Sequence, residues 1–501
     1  MDKKVLVIGA GIAGLSAASY LQRNGFDTEI YELHDKPGGL CTAWTRKGFT
    51  FDGCIHWLMG SGRSSNFHRI WEELGAGDLK YVEWDEHVMA RLPDGDTFTF
   101  YTDPERLKAE ILRLGPEDGK FAKLFSSKIK AVAKADIPAA FDRLSLREML
   151  SLAAAVPAVA PIFSKWMKVP LRSLVDSLKS ERLRDAFRVL FGEAMNSFPT
   201  GALFMMIGFM AKKSAGYPIG GSRAFARAVE AKYLALGGSI RYGSKVDRII
   251  VEATRDVARA VGLAGVWGES RGDYIVSAAD GRDTLDRLLA GAYKGCALDR
   301  AFDSQKRYPS LLFLGLGLGR DCSGMPHSQA FDLDEPLILE AGALIVRGLN
   351  LRLFNFDPTL APAGKTSASI MIETHNDEYW TRLAECDPGA YAAEKRAIIG
   401  SVIAAVDRKI PGFASWVEVA DLATPRTFIR YTNNWHGSYE GWLPTSASFG
   451  KKLPRTIEGL EGFEMVGQWV NPGGGLPPCG FDGRKLAKKL CKREGRRFRP
   501  E

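Results

Sequence analysis

The amino-terminal strand, glycine turn and helix constrain the fold of this chain more than any other feature. Residues 4–8 are an apolar, β-branched run that leads directly into a turn containing Gly9, Gly11 and Gly14. In such a unit Gly9 makes the tight turn, Gly11 lets backbone approach phosphate, and Gly14 lets the helix lie close to the strand. The free N–H groups and the dipole at the start of the helix favour a bound pyrophosphate. The segment therefore predicts a dinucleotide-binding βαβ unit.

An acidic residue follows at the spacing that a ribose contact requires. Glu32 lies at the end of a second apolar run, residues 28–33, about twenty residues after the turn. Its carboxylate can accept hydrogen bonds from both ribose hydroxyls, a charge-assisted contact of roughly 1.5–3 kcal/mol. The neighbouring positions expected to contact the nucleotide are Ala10, Ile12, Ala13 and Leu33.

The length and composition indicate a large globular protein. A chain of 501 residues exceeds what one hydrophobic core usually supports, so two interleaved domains are expected. No run approaches the eighteen or so uninterrupted apolar residues that identify a transmembrane helix. Lys3 and Lys4 precede an apolar stretch, as in a secretory signal, but cleavage there would remove the strand and turn. We therefore expect no targeting segment and a cytoplasmic location.

The cysteines and histidines do not form a metal-binding pattern. Seven cysteines are scattered along the chain without C-x-x-C spacing, which favours reduced thiols in a reducing compartment. The seven histidines are also dispersed, and no H-E-x-x-H motif occurs. The sequence predicts no metal site.

The net charge of +8 is concentrated at the carboxyl terminus. Residues 484–499 predict a basic helix with a frayed tail. A solvated helix end, an anionic membrane surface and nucleic acid are three interpretations of such a run. Because no nucleic-acid fold signature accompanies it, we expect no nucleic-acid partner.

The first half of the chain shows a change from strands to helices. Two alternating segments within residues 81–101 flank a turn at 93–96, which predicts a hairpin. Residues 102–215 are predicted to be mostly helical. Within them, residues 149–163 are strongly apolar but contain two prolines, which favours a buried helix pair over a membrane span. A helix lying in the membrane interface is the alternative.

The nucleotide-binding part of the sequence resumes in the middle of the chain. Ser222 is expected to cap a helix, and residues 239–251 and 274–280 have the composition of strands. Residues 463–491 predict a last strand, a glycine-rich loop and a closing helix.

A second sheet with helices is predicted for residues 291–425. Within it, residues 314–319 alternate leucine and glycine and could suggest a second nucleotide loop. The glycine spacing is wrong for that role, so a glycine-rich strand is the preferred interpretation. Only one tightly bound dinucleotide is indicated.

Several motifs together give the chain a family resemblance. They are the glycine fingerprint with Glu32, residues 35–39, 48–57, 217–221, 274–280 and 471–477. With these motifs the chain resembles flavoproteins of the amine oxidase and phytoene desaturase superfamily over most of its length. Within that superfamily it is similar to the phytoene desaturase, carotenoid isomerase and retinol saturase group, and residues 51–57 most resemble the last two.

The resemblance implies an α/β fold with a Rossmann-like FAD-binding domain of the glutathione reductase type. This domain is interleaved with a substrate domain of mixed sheet and helices, part of which is expected to associate with membranes. The segments implied for the FAD-binding domain are 1–75, 217–290 and 426–501. The segments implied for the substrate domain are 76–216 and 291–425.

The resemblance also implies FAD rather than NAD as the cofactor. Val246 is expected to meet the adenine through its backbone, and the helix that starts at residues 474–477 is expected to point at the pyrimidine edge of the flavin. A helix N-terminus there stabilises negative charge on the reduced ring. The full implied set is Gly9, Ala10, Gly11, Ile12, Ala13, Gly14, Glu32, Leu33, Gly38, Gly39, Leu40, His56, Val246, Gly467, Gln468, Gly474, Gly475, Leu476 and Pro477.

Two positions depart from the family pattern. Leu40 stands where the family often has arginine, which puts an arginine contact to cofactor or substrate in doubt. Gln468 stands where amine oxidases commonly have glutamate, and it can still form a hydrogen bond to the ribityl chain.

An isoprenoid substrate accounts for the apolar middle of the chain. Burying about twenty carbons at roughly 0.8 kcal/mol each gives ~16 kcal/mol, so such a molecule is best collected from a bilayer. The basic tail and one apolar segment together predict peripheral membrane contact on the cytoplasmic face.

Candidate side chains for the chemistry are few. His56 lies in the family-like stretch near the expected flavin and is the candidate proton donor or hydrogen-bonding group. Asp52 has no assigned role. The residues expected to line a polyene site are Trp435, His436, Tyr439 and Trp442.

Three functions compete at this point. The first is an FAD enzyme that desaturates, saturates or isomerises carbon–carbon bonds of a carotenoid, retinoid or related lipid. The second is a flavin amine oxidase, in which Trp435 and Tyr439 would form an aromatic cage. The third, from another class, is a prenyl-lipid-binding protein of the GDP-dissociation-inhibitor type, without redox activity.

Overall fold

The computed structural model describes residues 3–137, 144–253, 257–445 and 453–501. Its strands are β1 (Lys4–Ile8), β2 (Asp27–Tyr31), β3 (Ala43–Arg46), β4 (Phe49–Asp52), β5 (Leu58–Met59), β6 (Tyr81–Val82), β7 (Glu86–Arg91), β8 (Thr97–Tyr101), β9 (Ala215–Pro218), β10 (Ser239–Arg241), β11 (Arg248–Ala253), β12 (Ala258–Gly265), β13 (Gly268–Arg271), β14 (Tyr274–Ser277), β15 (Ser310–Leu318), β16 (Ser328–Leu339), β17 (Leu344–Leu353), β18 (Thr366–Thr374), β19 (Val417–Ala423), β20 (Leu460–Glu461) and β21 (Phe463–Met465).

The helices lie between groups of strands, and the longest run of consecutive helices stands between β8 and β9. They are α1 (Ile12–Arg23), α2 (Arg69–Glu73), α3 (Pro104–Leu114), α4 (Gly119–Lys134), α5 (Leu146–Ser164), α6 (Leu171–Val175), α7 (Glu181–Phe191), α8 (Thr200–Ala211), α9 (Gly221–Ala235), α10 (Gly281–Asp283), α11 (Ala297–Ser304), α12 (Asp377–Cys386), α13 (Pro388–Lys409), α14 (Phe413–Trp416), α15 (Pro425–Thr432) and α16 (Leu476–Arg493).

A five-stranded parallel sheet carries the amino-terminal turn. Its order is β10-β2-β1-β14-β21, so its strands come from three separated parts of the chain. β1 and β14 are almost entirely buried, as expected for a parallel sheet covered on both faces. On one face α16 packs tightly along α1, and Ser16 donates a hydrogen bond to the Gly480 carbonyl at 2.7 Å. This sheet brings the first and last parts of the chain together.

A seven-stranded, mostly antiparallel sheet forms the second layer, in the order β19-β15-β18-β17-β16-β7-β8. The predicted hairpin is present in it as β7 and β8. The glycine-rich stretch is the wholly buried strand β15, which confirms that it is a strand. A Cβ on Gly315 would lie 2.4 Å from the Phe51 ring, and one on Gly317 would lie 2.6 Å from the Phe49 ring. The glycines therefore make room for the aromatic rings of β4.

Residues 102–215 are mostly helical, as predicted. The prediction for their most apolar part, a buried helix pair, is not confirmed. α5 is one continuous helix that begins at a capping box of Ser145 and Glu148 and contains both prolines. Only Val159 and Ile162 of this helix are buried, so the predicted buried helix pair is wrong. By length and composition the stretch Leu146–Lys168 could cross a membrane, and 11% of its most apolar window is buried.

Two local predictions are also wrong. Ser222 does not cap α9, because the helix begins at Gly221 with Gly220, at φ +86°, in the cap position. The Ser222 hydroxyl donates to Asp52 instead. The carboxyl-terminal tail is not frayed. It folds back on α1, where the Phe498 ring lies 6.2 Å from the Tyr20 ring.

Candidate functional site

A groove runs over the carboxyl end of the parallel sheet, from Glu32 to the start of α16. The turn after β1, the loop after β2, the end of β14 and the loop after β21 form its walls. The expected cofactor residues that line it are Gly9, Gly11, Ile12, Ala13, Glu32, Leu33, Gly38, Gly39, Leu40, Val246, Gly467, Gln468, Gly475 and Leu476. Ala10, Gly14, Gly474 and Pro477 lie directly beside these residues in the chain and support the walls.

The three glycines of the first turn differ in what surrounds them. Gly9 has φ +98°, which L side chains rarely adopt, and a Cβ on Gly14 would lie 2.0 Å from the Gly9 carbonyl oxygen. A Cβ on Gly11 would meet nothing closer than 3.9 Å. Gly9 and Gly14 are thus required by the fold, while the space over Gly11 is open to a ligand.

The Glu32 carboxylate is held in place by backbone donors. The Ala10 N–H donates to one of its oxygens at 2.6 Å and the His34 N–H donates to the other at 2.8 Å. Burial raises the pKa of Glu32, and these hydrogen bonds partly offset the rise. Each oxygen keeps a lone pair with which it can accept a hydrogen bond from a ribose hydroxyl.

The second glycine pair brings the chain close to the first turn. The Gly38 N–H donates to the Ala10 carbonyl at 2.9 Å, and a Cβ on Gly38 would lie 2.2 Å from the Cys41 carbonyl oxygen. Leu40 lines the groove with an apolar side chain. Val246 is buried in the groove wall, and its carbonyl accepts a hydrogen bond from Arg287 at 2.9 Å.

The end of the groove at the start of α16 is held by a residue that the sequence did not single out. Asp482 is fully buried on α16 and accepts hydrogen bonds from the Gly467 N–H and the Asn471 side chain, each at 2.7 Å. Arg455 also pairs with it. An acidic residue in the second turn of an otherwise apolar and basic helix was the signal that could have revealed this role.

Gln468 and the start of α16 face the groove together. The Gln468 side-chain N–H donates to Asn434 at 3.0 Å, which leaves its carbonyl oxygen as an acceptor. Gly475, at φ +80°, precedes the first residue of α16. Because Pro477 and Pro478 have no N–H, the donors left free at this helix end are the N–H groups of Gly475 and Leu476, and both residues line the groove. A hydroxylated chain and an electron-rich ring fit these two features.

The residues present therefore fit FAD. The open space over Gly11, the fixed Glu32 carboxylate and the N-termini of α1 and α16 supply sites for a pyrophosphate, a ribose and a flavin along one groove.

Two acidic residues with raised pKa values line the groove. Glu440 lines the groove, and one of its oxygens is so near Gly474 that a Cβ there would lie 2.3 Å from it. Burial raises the pKa of Glu440 to about 7, although a hydrogen bond with Tyr308 opposes the rise. Asp280, also on the groove wall, has its pKa raised to about 7 by burial. No periodicity or spacing in the sequence distinguishes Glu440.

Asp52, left without a role by the sequence, organises the loop beside the groove. It is fully buried and accepts hydrogen bonds from the Tyr217 hydroxyl at 2.7 Å, the Ser222 N–H at 2.8 Å and the Cys54 N–H at 3.0 Å. It therefore joins β4, β9 and α9, and it fixes Cys54 against the groove.

The four residues expected to line a polyene site lie in different surroundings. Trp442 is fully buried against Phe302 and Trp469, and the Trp435 ring belongs to the same cluster. His436 is bonded to Asp377 at 2.7 Å. Of the four expected residues, Tyr439 lines the groove. Trp442 has a core role because its whole surface is covered by protein.

His56 lies beside the groove rather than in its lining. It is not among the groove-lining residues, and its carbonyl accepts a hydrogen bond from Arg352 at 2.5 Å. Burial and the nearby Arg352 charge lower the pKa of His56 to about 3. The ring is therefore neutral near pH 7, and it lacks the proton that an imidazolium donor would supply.

Comparisons with known proteins agree with this geometry. Residues 7–74 match the family of NAD(P)-binding Rossmann-like domains. The phytoene desaturase (neurosporene-forming) of Rhodobacter capsulatus is 26% identical, over 97% of this chain and 94% of the relative. The corresponding enzyme of Cereibacter sphaeroides is 28% identical over 95% and 92%. The chloroplastic prolycopene isomerase of Daucus carota is 25% identical over 97% and 79%.

Solved structures share the fold over nearly the whole chain. An oxidoreductase from Methanosarcina mazei superposes with a TM-score of 0.60 at 18% identity, covering 97% of this chain and 100% of that one. A putrescine oxidase bound to putrescine gives a TM-score of 0.60 at 12% identity, with 98% and 100% covered. The chain is thus a homologue of the phytoene desaturases and prolycopene isomerases, an oxidoreductase on the same Rossmann-like fold.

Proposed function

We propose that this protein uses FAD to desaturate, saturate or isomerise carbon–carbon bonds of an isoprenoid polyene. The observation that carries the proposal is that relatives named for carotenoid desaturation and isomerisation align over nearly its full length. The division of the chain at residues 75, 216, 290 and 425 into cofactor and substrate domains belongs to the same proposal.

FAD, when bound, accepts or donates the hydride that changes the bond order of the polyene. Glu32 would accept hydrogen bonds from the ribose, and the first turn of α1 would hold the pyrophosphate. Gln468 would orient the ribityl chain through its free carbonyl. The N-terminus of α16 would stabilise negative charge on the ring.

Glu440 is the group that holds a proton next to this ring. Because its pKa is raised to about 7, it is partly protonated at neutral pH and can either give or take a proton. Tyr308 keeps its own proton, since burial and the neighbouring Glu440 charge raise its pKa well above the usual value. Tyr308 therefore donates to Glu440 and orients its carboxyl group.

The substrate reaches the protein from a lipid surface through α5. Along this helix the side chains of Leu146, Met149, Leu150 and Val156 are each more than half exposed. Lys165 and Lys168 follow its carboxyl end, where their charges can meet anionic headgroups. An exposed apolar helix with flanking cations fits peripheral insertion on the cytoplasmic face of a membrane.

Anaerobic turnover tests the proposal. The purified protein is expected to retain flavin absorbance after gel filtration and to convert an acyclic carotene, either as oxidised enzyme or after reduction. Chromatography of the products separates desaturation, saturation and isomerisation. A protein that stays colourless after incubation with FAD overturns the proposal and leaves the lipid-binding alternative. Oxidation of primary amines without any change in carotenes identifies an amine oxidase instead.

A further inference from the structure

A buried arginine in the second sheet has no carboxylate partner. Arg352 lies on β17 and is 7% exposed. In the described ranges of the chain, no acidic oxygen lies within ion-pair distance of its guanidinium. The negative charge of Asp52 favours the charged form of Arg352 from a longer distance. The Asp52 carboxylate already accepts hydrogen bonds from Tyr217, Ser222 and Cys54. A buried charge without a partner is costly, so a ligand that completes the pair is expected.

Three buried nitrogen atoms around this arginine lack hydrogen-bond partners in the described part of the chain. They are Arg352 Nε, Trp84 Nε1 and His56 Nε2. The Arg352 guanidinium lies 5.4 Å from the Trp84 ring centre, and its Nη2 donates to the His56 carbonyl at 2.5 Å. Arg352 Nε and Trp84 Nε1 always carry hydrogen, so the cluster offers two hydrogen-bond donors to an oxygen acceptor.

Histidines and aromatic rings complete the walls. The His327 ring stacks on Trp84 at 4.6 Å, and the Phe356 ring lies 5.1 Å from Trp84. Burial and the Arg352 charge lower the pKa of His87 to about 4 and that of His327 to about 2. The His87 and His327 rings are therefore neutral near pH 7, and Arg352 carries the positive charge of this cluster.

The cluster borders the flavin end of the cofactor groove. Cys54 lines that groove, and His56, two residues later, faces Arg352. His56 and Trp84 each keep part of their surface accessible, although His56 is strongly desolvated. A ligand anchored at Arg352 would approach the groove wall at Cys54, two residues before His56.

We propose that Arg352, with Trp84 and His56, binds a carboxylate at one end of an isoprenoid substrate. The inference rests on the proposed function and narrows its substrate class to isoprenoid acids. The guanidinium pairs with the carboxylate, and the Trp84 N–H donates to one of its oxygens. The apolar chain then lies between the second sheet and the flavin end of the groove.

Binding of matched probes to the FAD-loaded protein tests this. Geranylgeranoic acid, geranylgeraniol and the hydrocarbon of the same chain differ in the end group, and quenching of tryptophan fluorescence reports their affinities. The acid is expected to bind the wild type about tenfold or more tightly than the alcohol. Equal affinity for acid and alcohol overturns the inference, whatever the variants do.

Substitutions then assign the preference to Arg352. Arg352→Met is expected to weaken binding of the acid by about tenfold or more and to leave binding of the alcohol nearly unchanged. Arg347→Met, at an exposed position of the same strand, is the control and is expected to change neither. Equal weakening of both probes by Arg352→Met contradicts the inference.

A thermal readout separates this role from a structural one. Removing an unpaired buried charge leaves no charged partner behind, so the Tm of ligand-free Arg352→Met is expected to stay the same or rise. A fall in Tm with loss of FAD assigns a structural role and overturns the inference.

Carotene turnover without a preference for acids refutes this inference alone, whereas absence of flavin refutes the proposed function.

Discussion

The Asp482 carboxylate accepts a hydrogen bond from the backbone N–H of Gly467 at 2.7 Å and so fixes the loop that closes the cofactor groove. The same carboxylate accepts from Asn471, and Arg455 balances its charge. One buried side chain on α16 thus holds both the entry to the loop and its glycine-rich part.

We expect Asp482→Leu to weaken FAD binding by about tenfold or more, because the Gly467 N–H and Arg455 lose their partner. Fluorescence titration of the apoprotein with FAD measures the effect. Lys492→Ala, at an exposed position of the same helix, is the control. Unchanged FAD affinity in Asp482→Leu contradicts the role of this residue in shaping the loop.

Glu32→Gln is expected to raise the Kd for FAD by about tenfold to a hundredfold, since the ribose loses a charged acceptor worth roughly 1.5–3 kcal/mol. The same titration measures it. Asp27→Asn, at the exposed start of β2, is the matched control and is expected to bind FAD normally. If both variants bind FAD equally, the ribose contact is placed incorrectly.

Glu440 makes stability depend on pH. Its pKa is raised from 4.5 to about 7 in the folded protein, so its favourable contribution is complete below pH 4.5 and is lost as the pH rises through about 7. Glu440→Gln is expected to be more stable than the wild type at pH 8, by roughly 1–3 kcal/mol, and to lose this advantage at pH 5. Thermal unfolding of the apoprotein at the two pH values measures the difference. A difference that does not vary with pH contradicts the raised pKa.

Gly315→Ala is expected to destabilise the protein by roughly 1–3 kcal/mol, because the new methyl group collides with the Phe51 ring. Gly400→Ala is the control, since a Cβ there meets nothing within 4 Å and the residue lies inside α13. That change is expected to be neutral or to add up to about 1 kcal/mol. Urea unfolding compares the two, and an equal effect would show that the close packing of β15 is absent.

The exposed face of α5 is expected to bind anionic vesicles. The double substitution Leu150→Asp and Val156→Asp places two charges on that face and is expected to reduce co-sedimentation by about tenfold. Val266→Asp, which changes an exposed apolar residue on another element, is the control. Vesicle binding that survives the double substitution would refute membrane contact through α5.

The sequence was sufficient for the cofactor groove because that groove depends on local rules. Gly9, Gly14 and Gly38 have backbone requirements that glycine alone meets, and Glu32 follows at a fixed spacing. The alternation of β-branched runs and helices likewise predicted the parallel sheet, and the wrong spacing of residues 314–319 correctly indicated a strand.

The missed residues act across long sequence separations. Asp482 contacts Gly467, Asp52 contacts Tyr217, and Arg352 contacts His56, and neither member of such a pair points to the other in a single sequence. Trp442 was expected in a polyene site because aromatic composition does not distinguish a lining residue from a core residue. The α5 helix was expected to be buried because hydrophobicity does not reveal which neighbours are available to cover it.

The parallel sheet has a consequence for biosynthesis. Its last strand ends at Met465 and the helix that packs on α1 ends at Arg493, so the groove lacks one wall until α16 has been synthesised. Domains fold as units during synthesis, and this unit cannot close on its amino-terminal part alone. A nucleotide can therefore be enclosed in the groove only after the ribosome has passed residue 493.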